Sequence, residues 1–139
     1  MTISKILAQK GKWYANLDKS VTFTADYFTT YPKDFLEEKK PSWRRELEYQ
    51  LGQNTWFLFE DNVFWEFYNE KDYLKKLFFT IDEEEKIIKL YKNEACVGAH
   101  ILQFDVLEIS ATTLVFYVCE DNSYDDFSHN NLIIFCEFV

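Results

Sequence analysis

One stretch constrains this chain more than any other: Trp56-Phe57-Leu58-Phe59-Glu60-Asp61-Asn62-Val63-Phe64-Trp65-Glu66-Phe67-Tyr68. Two aromatic, β-prone runs flank Asp61-Asn62. The short polar side chains of Asp and Asn tolerate positive φ, so the stretch predicts a hairpin with a two-residue loop. That loop sets the register: Glu60 opposite Val63, Phe59 opposite Phe64, Leu58 opposite Trp65 and Trp56 opposite Phe67. Strand alternation then divides the side chains into two sets. Trp56, Leu58, Val63, Trp65 and Phe67 share one face, with Glu60 near its rim. Phe57, Phe59, Phe64 and Tyr68 share the other, with Glu66 among them. A solvated face is mostly polar, and neither of these is. We expect the Trp56 set to line the interior and the Phe57 set to lie outside beneath a cover. The N-terminal third of the chain is the expected cover, ahead of a partner.

The length of 139 residues fits one domain, 1–139. With 47% hydrophobic and 19% aromatic residues the chain can bury a substantial core, and only 3 Gly and 2 Pro argue against disorder. No apolar run has the length of a membrane span. The first ten residues lack the apolar core and cleavage site of a signal peptide, so a cytoplasmic location is expected. Cys96, Cys119 and Cys136 are odd in number and form no Cys-x-x-Cys pair, which reads as buried, reduced thiols and not as a zinc site. The net charge of −9 is uneven: residues 1–50 carry +2 and residues 51–139 carry −11. An acidic body disfavours nucleic acid and steers a basic protein toward it.

In chain order, residues 2 to 10 predict a short helix with Ile3, Ile6 and Leu7 on one face and Gly11 just past its end. A first strand follows from Trp13 to about Leu17. Val21 to Tyr31 alternates Val21, Phe23, Ala25 and Tyr27 with polar residues and reads as a strand or extended loop. Asp34 to Lys40 is charged and reads as a helical turn. Pro41-Ser42 opens a helix with Ser42 as N-cap; Trp43, Leu47 and Leu51 form its apolar stripe and Gly52 its end. This helix is the expected cover over the Phe57 face. Beyond the hairpin, strands are expected at Leu74–Ile81, Lys86–Tyr91, Ile101–Ile109, Thr112–Cys119 and Asn131–Val139, with the acidic turn Asp82-Glu83-Glu84-Glu85 as a solvated tip. Eight sequential strands hide their edges best by closing. The fold class expected is mainly β: an eight-stranded antiparallel up-and-down barrel with a short N-terminal helix and a helical insertion near 42–51. The alternative is an α+β curved sheet holding N-terminal helices.

Gly11-Lys12-Trp13, after a short helix and opening the first strand, resembles the Gly-x-Trp signature of the lipocalins and their calycin relatives, including small bacterial lipocalin-like domains. The resemblance implies a barrel able to hold a small apolar ligand. The chain departs from the family at the late arginine that packs on that tryptophan, since its only arginines are Arg44 and Arg45.

Catalytic signatures are missing from the sequence. The segment Asp121 to Asp126 begins like an EF-hand loop but lacks glycine at the sixth position and glutamate at the twelfth. His100 and His129 have no metal-ligand spacing, and no phosphate-cradling loop or nucleophile elbow is present. No catalytic residue, metal or cofactor is therefore nominated, and the balance is against an enzyme. The leading expectation is non-catalytic binding of a small hydrophobic molecule by barrel-interior residues Trp56, Leu58, Trp65, Phe67, Leu114 and Phe116, although the same side chains could simply fill an eight-stranded interior. The alternative is an acidic cytosolic module binding a basic protein, such as an inhibitor or an immunity protein.

Overall fold

The computed structural model describes residues 2–9, 11–27, 32–51, 54–68, 73–120 and 133–139. Its elements follow the chain as α1 (Ile3–Leu7), β1 (Trp13–Ala15), α2 (Leu17–Tyr27), α3 (Lys33–Leu51), β2 (Thr55–Glu60), β3 (Val63–Tyr68), β4 (Tyr73–Asp82), β5 (Ile87–Tyr91), β6 (Leu102–Ile109), β7 (Thr113–Glu120) and β8 (Ile133–Phe138). The hairpin forms with the expected register, residue for residue from Thr55↔Tyr68 to Glu60↔Val63. Asp61 and Asn62 take φ of 50° and 62°, the left-handed pair that matches strand twist in a two-residue loop.

Every strand pairs antiparallel with its neighbours in sequence. The three-residue β1 pairs with both β2 and β8, so the sheet closes into an eight-stranded up-and-down barrel. Closure excludes the open curved sheet. It also decides which hairpin face points inward. Phe57, Phe59 and Phe64 join Trp13, Leu77, Ile88, Leu90, Leu102, Phe104, Val106, Leu114, Phe116, Val118, Ile134 and Cys136 in the core. The expected inside-out assignment of the hairpin is therefore corrected. Alternation defines the two sets but is symmetric between them, and only the curl of the whole sheet breaks that symmetry.

The N-terminal third differs from expectation in two places. Residues 17–27 are helical, not extended. The Asn16 side chain accepts the Lys19 N–H at 3.0 Å, and Ser20 N–H bonds the Asn16 carbonyl, a helix start by side-chain capping. Leu17, Val21 and Ala25 are spaced by four, and a spacing of four satisfies a strand period of two as well as a helix period of 3.6. Only the cap distinguished the readings. The helix expected from Ser42 begins instead at Lys33, and Pro41 lies inside it. Proline is enriched in the first turn of helices, which is why its position suggested a start. Here the Leu36 N–H already bonds the Pro32 carbonyl. The helix does not lie over the Phe57 face, which is inside; it packs on α2, and α2 packs on β8. Leu47 and Val21 are buried in the core cluster, and Trp43 packs against it. Gly52, residues 28–31 and residues 121–132 lie outside the described residues.

The two barrel ends are built differently. One carries α2 and α3. The other carries the tight turns at 61–62, 83–86 and 110–112, and α1 closes it. Thr2 caps α1 by accepting the Lys5 N–H, and Glu83 reaches across to its first turn. The Ile3 and Ser4 N–H groups donate to the Glu83 carboxylate at 2.7 and 3.0 Å, and the Ser4 hydroxyl donates at 2.7 Å. Burial acts to raise the Glu83 carboxyl, but the hydrogen bonds from Ser4 and Ile3 together outweigh it and hold it below the ordinary 4.5. Glu83 is exposed like the rest of the acidic turn, and it is also a structural tie to α1. Gly11 serves close approach and not a left-handed cap: a Cβ there would lie 2.5 Å from the Phe138 ring and 2.8 Å from the Val139 carbonyl.

Candidate functional site

The middle of the barrel is filled. Phe104 stacks on Phe116 with centroids 4.4 Å apart, Phe64 meets Phe104 at 5.5 Å, and Phe57 meets Phe116 edge-on at 5.9 Å. Phe57 and Phe116 belong to β2 and β7, so their contact crosses the lumen. Of the six candidate ligand-lining residues, the structure brings only Leu114 and Phe116 into the interior, both fully buried in this packing. Trp56, Leu58, Trp65 and Phe67 are together, but outside. Trp56 stacks on Phe67 at 4.0 Å, Lys12 lies over the Trp56 ring and Lys76 over the Trp65 ring. With Glu60, Asp61 and Val63, three of the four line a shallow outer groove of about 390 Å³.

The largest concavity among those described, about 600 Å³, lies at the α1 end, outside the filled lumen. Its walls are the end of α1 with Ala8 and Gln9 on one side and the hairpin tip, Leu58 to Asn62, on the other. Leu7, Phe59, Phe79 and Ile81 give it an apolar floor. Phe59 and Phe79 meet edge-on at 5.5 Å, which fixes that floor. Glu60 and Asp61, both exposed, stand at its rim.

The cleft exists because β1 is short. The register of β1 with β2 ends at Trp13↔Phe57. Before Trp13 the chain stays with β8, where Lys12 and Val139 exchange backbone bonds at 3.3 and 2.9 Å. Leu58, Phe59 and Glu60 therefore continue past the start of β1 with no strand partner among the described residues on that side. Gly11 lies close against Phe138 and Val139, so this segment runs beside β8. No sequence motif signals such a gap, because it depends on where two distant strands stop pairing.

Elsewhere the chemistry is structural. A polar recess of about 400 Å³ beside α2 and α3 is lined by Asp18, Arg44, Glu48 and Glu137, but these are already paired: Arg44 with Asp18 and Glu48, and Lys19 with Glu137 at 2.7 Å. The hydrogen bonds from Lys19 and Asn16 hold the Glu137 carboxyl low. All three cysteines are unbridged. Burial pushes the Cys119 thiol up to about 11, helped by its hydrogen bond to Asp105, and burial also raises Cys96 and Cys136. Such thiols stay protonated at neutral pH and are poor nucleophiles. His100 rests against the Tyr91 ring; His129 lies outside the described residues. Among the described residues no three His, Cys, Asp or Glu side chains converge to hold a metal ion, and no helix is long and apolar enough to cross a membrane. Glu66 is buried on the inward face at the helical end of the barrel, in register opposite Lys75 on β4. No family model, no curated protein and no solved structure matches this chain.

Proposed function

We propose that this is a non-catalytic, lipocalin-like binding protein that takes the apolar part of its ligand in the cleft between α1 and the β2–β3 hairpin. The observation that carries this reading is the cleft itself: about 600 Å³, floored by Leu7, Phe59, Phe79 and Ile81 and rimmed by Glu60 and Asp61. That volume lies within the roughly 300–1,000 Å³ of small-ligand sites, and an apolar floor with a few polar groups is their usual lining. The aromatic packing across the lumen argues against the central calyx as the site. The rim carboxylates favour an amphipathic ligand carrying a cation.

The test is binding of a cationic apolar dye, followed by fluorescence, to the wild type and to Ala8→Trp, which fills the cleft from the exposed end of α1. Filling is expected to weaken binding at least tenfold with thermal stability retained. Equal binding by a folded A8W variant would place the ligand elsewhere. A second reading, an acidic module that binds a basic protein, draws on the same two carboxylates and on the −11 charge of residues 51–139.

A further inference from the structure

The cleft is bounded along one side by a strand edge, and a strand edge is itself a binding element. In a two-residue hairpin loop the residues flanking the loop, Glu60 and Val63, exchange backbone hydrogen bonds. Alternation then turns the backbone groups of Leu58 and Trp56 toward β3 and those of Phe57 and Phe59 toward β1. Phe57 meets Trp13 across that side. Phe59 lies two residues further on, beyond the start of β1, so its N–H and carbonyl are on the side of β2 that borders the cleft. Backbone groups at an edge with no strand partner among the described residues form a template for an added strand.

We propose that the occupant of the cleft is a short extended segment of a basic protein, added as a strand against Leu58–Glu60. The inference rests on the reading that the cleft is the binding site, and it goes further by naming the partner's chemistry. Cross-strand neighbours share a face. The residue opposite Phe59 therefore points inward, over Phe79, Ile81 and Leu7, and must be apolar. Its two neighbours point outward beside Leu58 and Glu60, with Asp61 at the tip, and lysine or arginine there meets both carboxylates. The segment is thus basic–apolar–basic, about 10 Å long at a strand's rise of roughly 3.3 Å per residue. The charge of the body selects the same partner: with −11 over residues 51–139, a basic chain is attracted at long range and an acidic one repelled.

The test uses the full chain and an acetylated heptapeptide, Lys-Val-Lys-Ile-Lys-Val-Lys, titrated by fluorescence anisotropy and by amide hydrogen exchange. Binding is expected, with the Phe59 amide exchanging at least tenfold more slowly in the complex. N-methylation of alternate peptide bonds, which keeps charge and side chains but blocks pairing, is expected to weaken binding at least tenfold. Double reversal at the exposed rim, Glu60→Lys with Asp61→Lys, is expected to do the same. Equal binding of the N-methylated peptide, or an unchanged Phe59 amide, overturns strand addition. A cationic dye that binds the cleft while the peptide does not overturns the partner but leaves the cleft as the site. Failure of both probes removes the cleft reading as well.

Discussion

Phe64 and Trp65 are neighbours on one strand, in a hairpin whose two faces are about equally aromatic. Phe64 is fully buried and touches the rings of Phe57, Phe59 and Phe104. Trp65 is half-buried on the outside, beside Phe67 and beneath the Lys76 ammonium at 4.9 Å. Composition does not separate the two faces; position relative to the barrel axis does. The inner face is spent on filling the lumen, where six-membered rings from opposite walls meet. The outer face keeps apolar area near water and shields part of it with lysine side chains, whose stems and charges suit aromatic ring faces. A barrel of eight strands has room for side chains or one small ligand, and here the side chains take it. The largest concavity among those described lies instead where the wall is incomplete.

That contrast can be broken most directly at the two neighbours. Phe64→Ala is expected to destabilise by roughly 3–5 kcal/mol, as for large-to-small changes in a packed core. Trp65→Ala is expected to cost about 1 kcal/mol, since it removes a partly solvated ring and one cation–π contact. Chemical denaturation of both variants measures the difference, and equal losses would mean that the outer face is as structural as the inner one.

Gly11→Ala probes how the wall is held closed on the β8 side and open on the β2 side. A methyl group 2.5 Å from the Phe138 ring and 2.8 Å from the Val139 carbonyl must displace the end of β8 or push Gly11 toward the cleft. The expected loss is about 1–3 kcal/mol, the usual cost of overpacking, together with altered probe binding in the cleft. Unchanged thermal stability would show that the close approach is not required.

The smallest effect is expected at the other wall of the cleft, where Glu83 holds α1. Glu83→Gln is expected to cost about 1 kcal/mol at pH 7, the scale of a lost helix cap. Because the folded-state carboxyl titrates below its ordinary 4.5, its contribution is complete above that value. It is lost as pH falls through the lower folded value. Thermal melts of wild type and variant should therefore converge as the solution is acidified below about pH 4.5, while a gap that persists in acid would show that the tie does not depend on charge.

Strand by strand, the architecture was legible. The Asp61-Asn62 loop, the alternation of Leu114, Phe116 and Val118, and the short runs between polar turns each carry a local signal, and local signals survive in a single sequence. Helix α2 and the start of α3 are ambiguous in the sequence because two local signals coincide: a spacing of four that fits both periods, and a proline that marks starts but stands mid-helix. The candidate site was less legible. Of the six candidates, Leu114 and Phe116 lie in the core and Trp56, Leu58, Trp65 and Phe67 do not join it, and no local signal marks Leu7, Phe59, Phe79 and Ile81 as neighbours.

By itself, the sequence determined the hairpin and its register, the succession of eight strands, and the acidic balance of the second part of the chain, because turn chemistry, alternation and charge are properties of neighbours along the backbone. Tertiary structure alone decided which hairpin face turned inward, that the lumen is filled, that Glu83 reaches α1, and that β2 outruns β1 at one end. Each depends on closing a sheet whose first and last strands lie more than a hundred residues apart, and no neighbour-to-neighbour rule specifies where such a seam begins or stops.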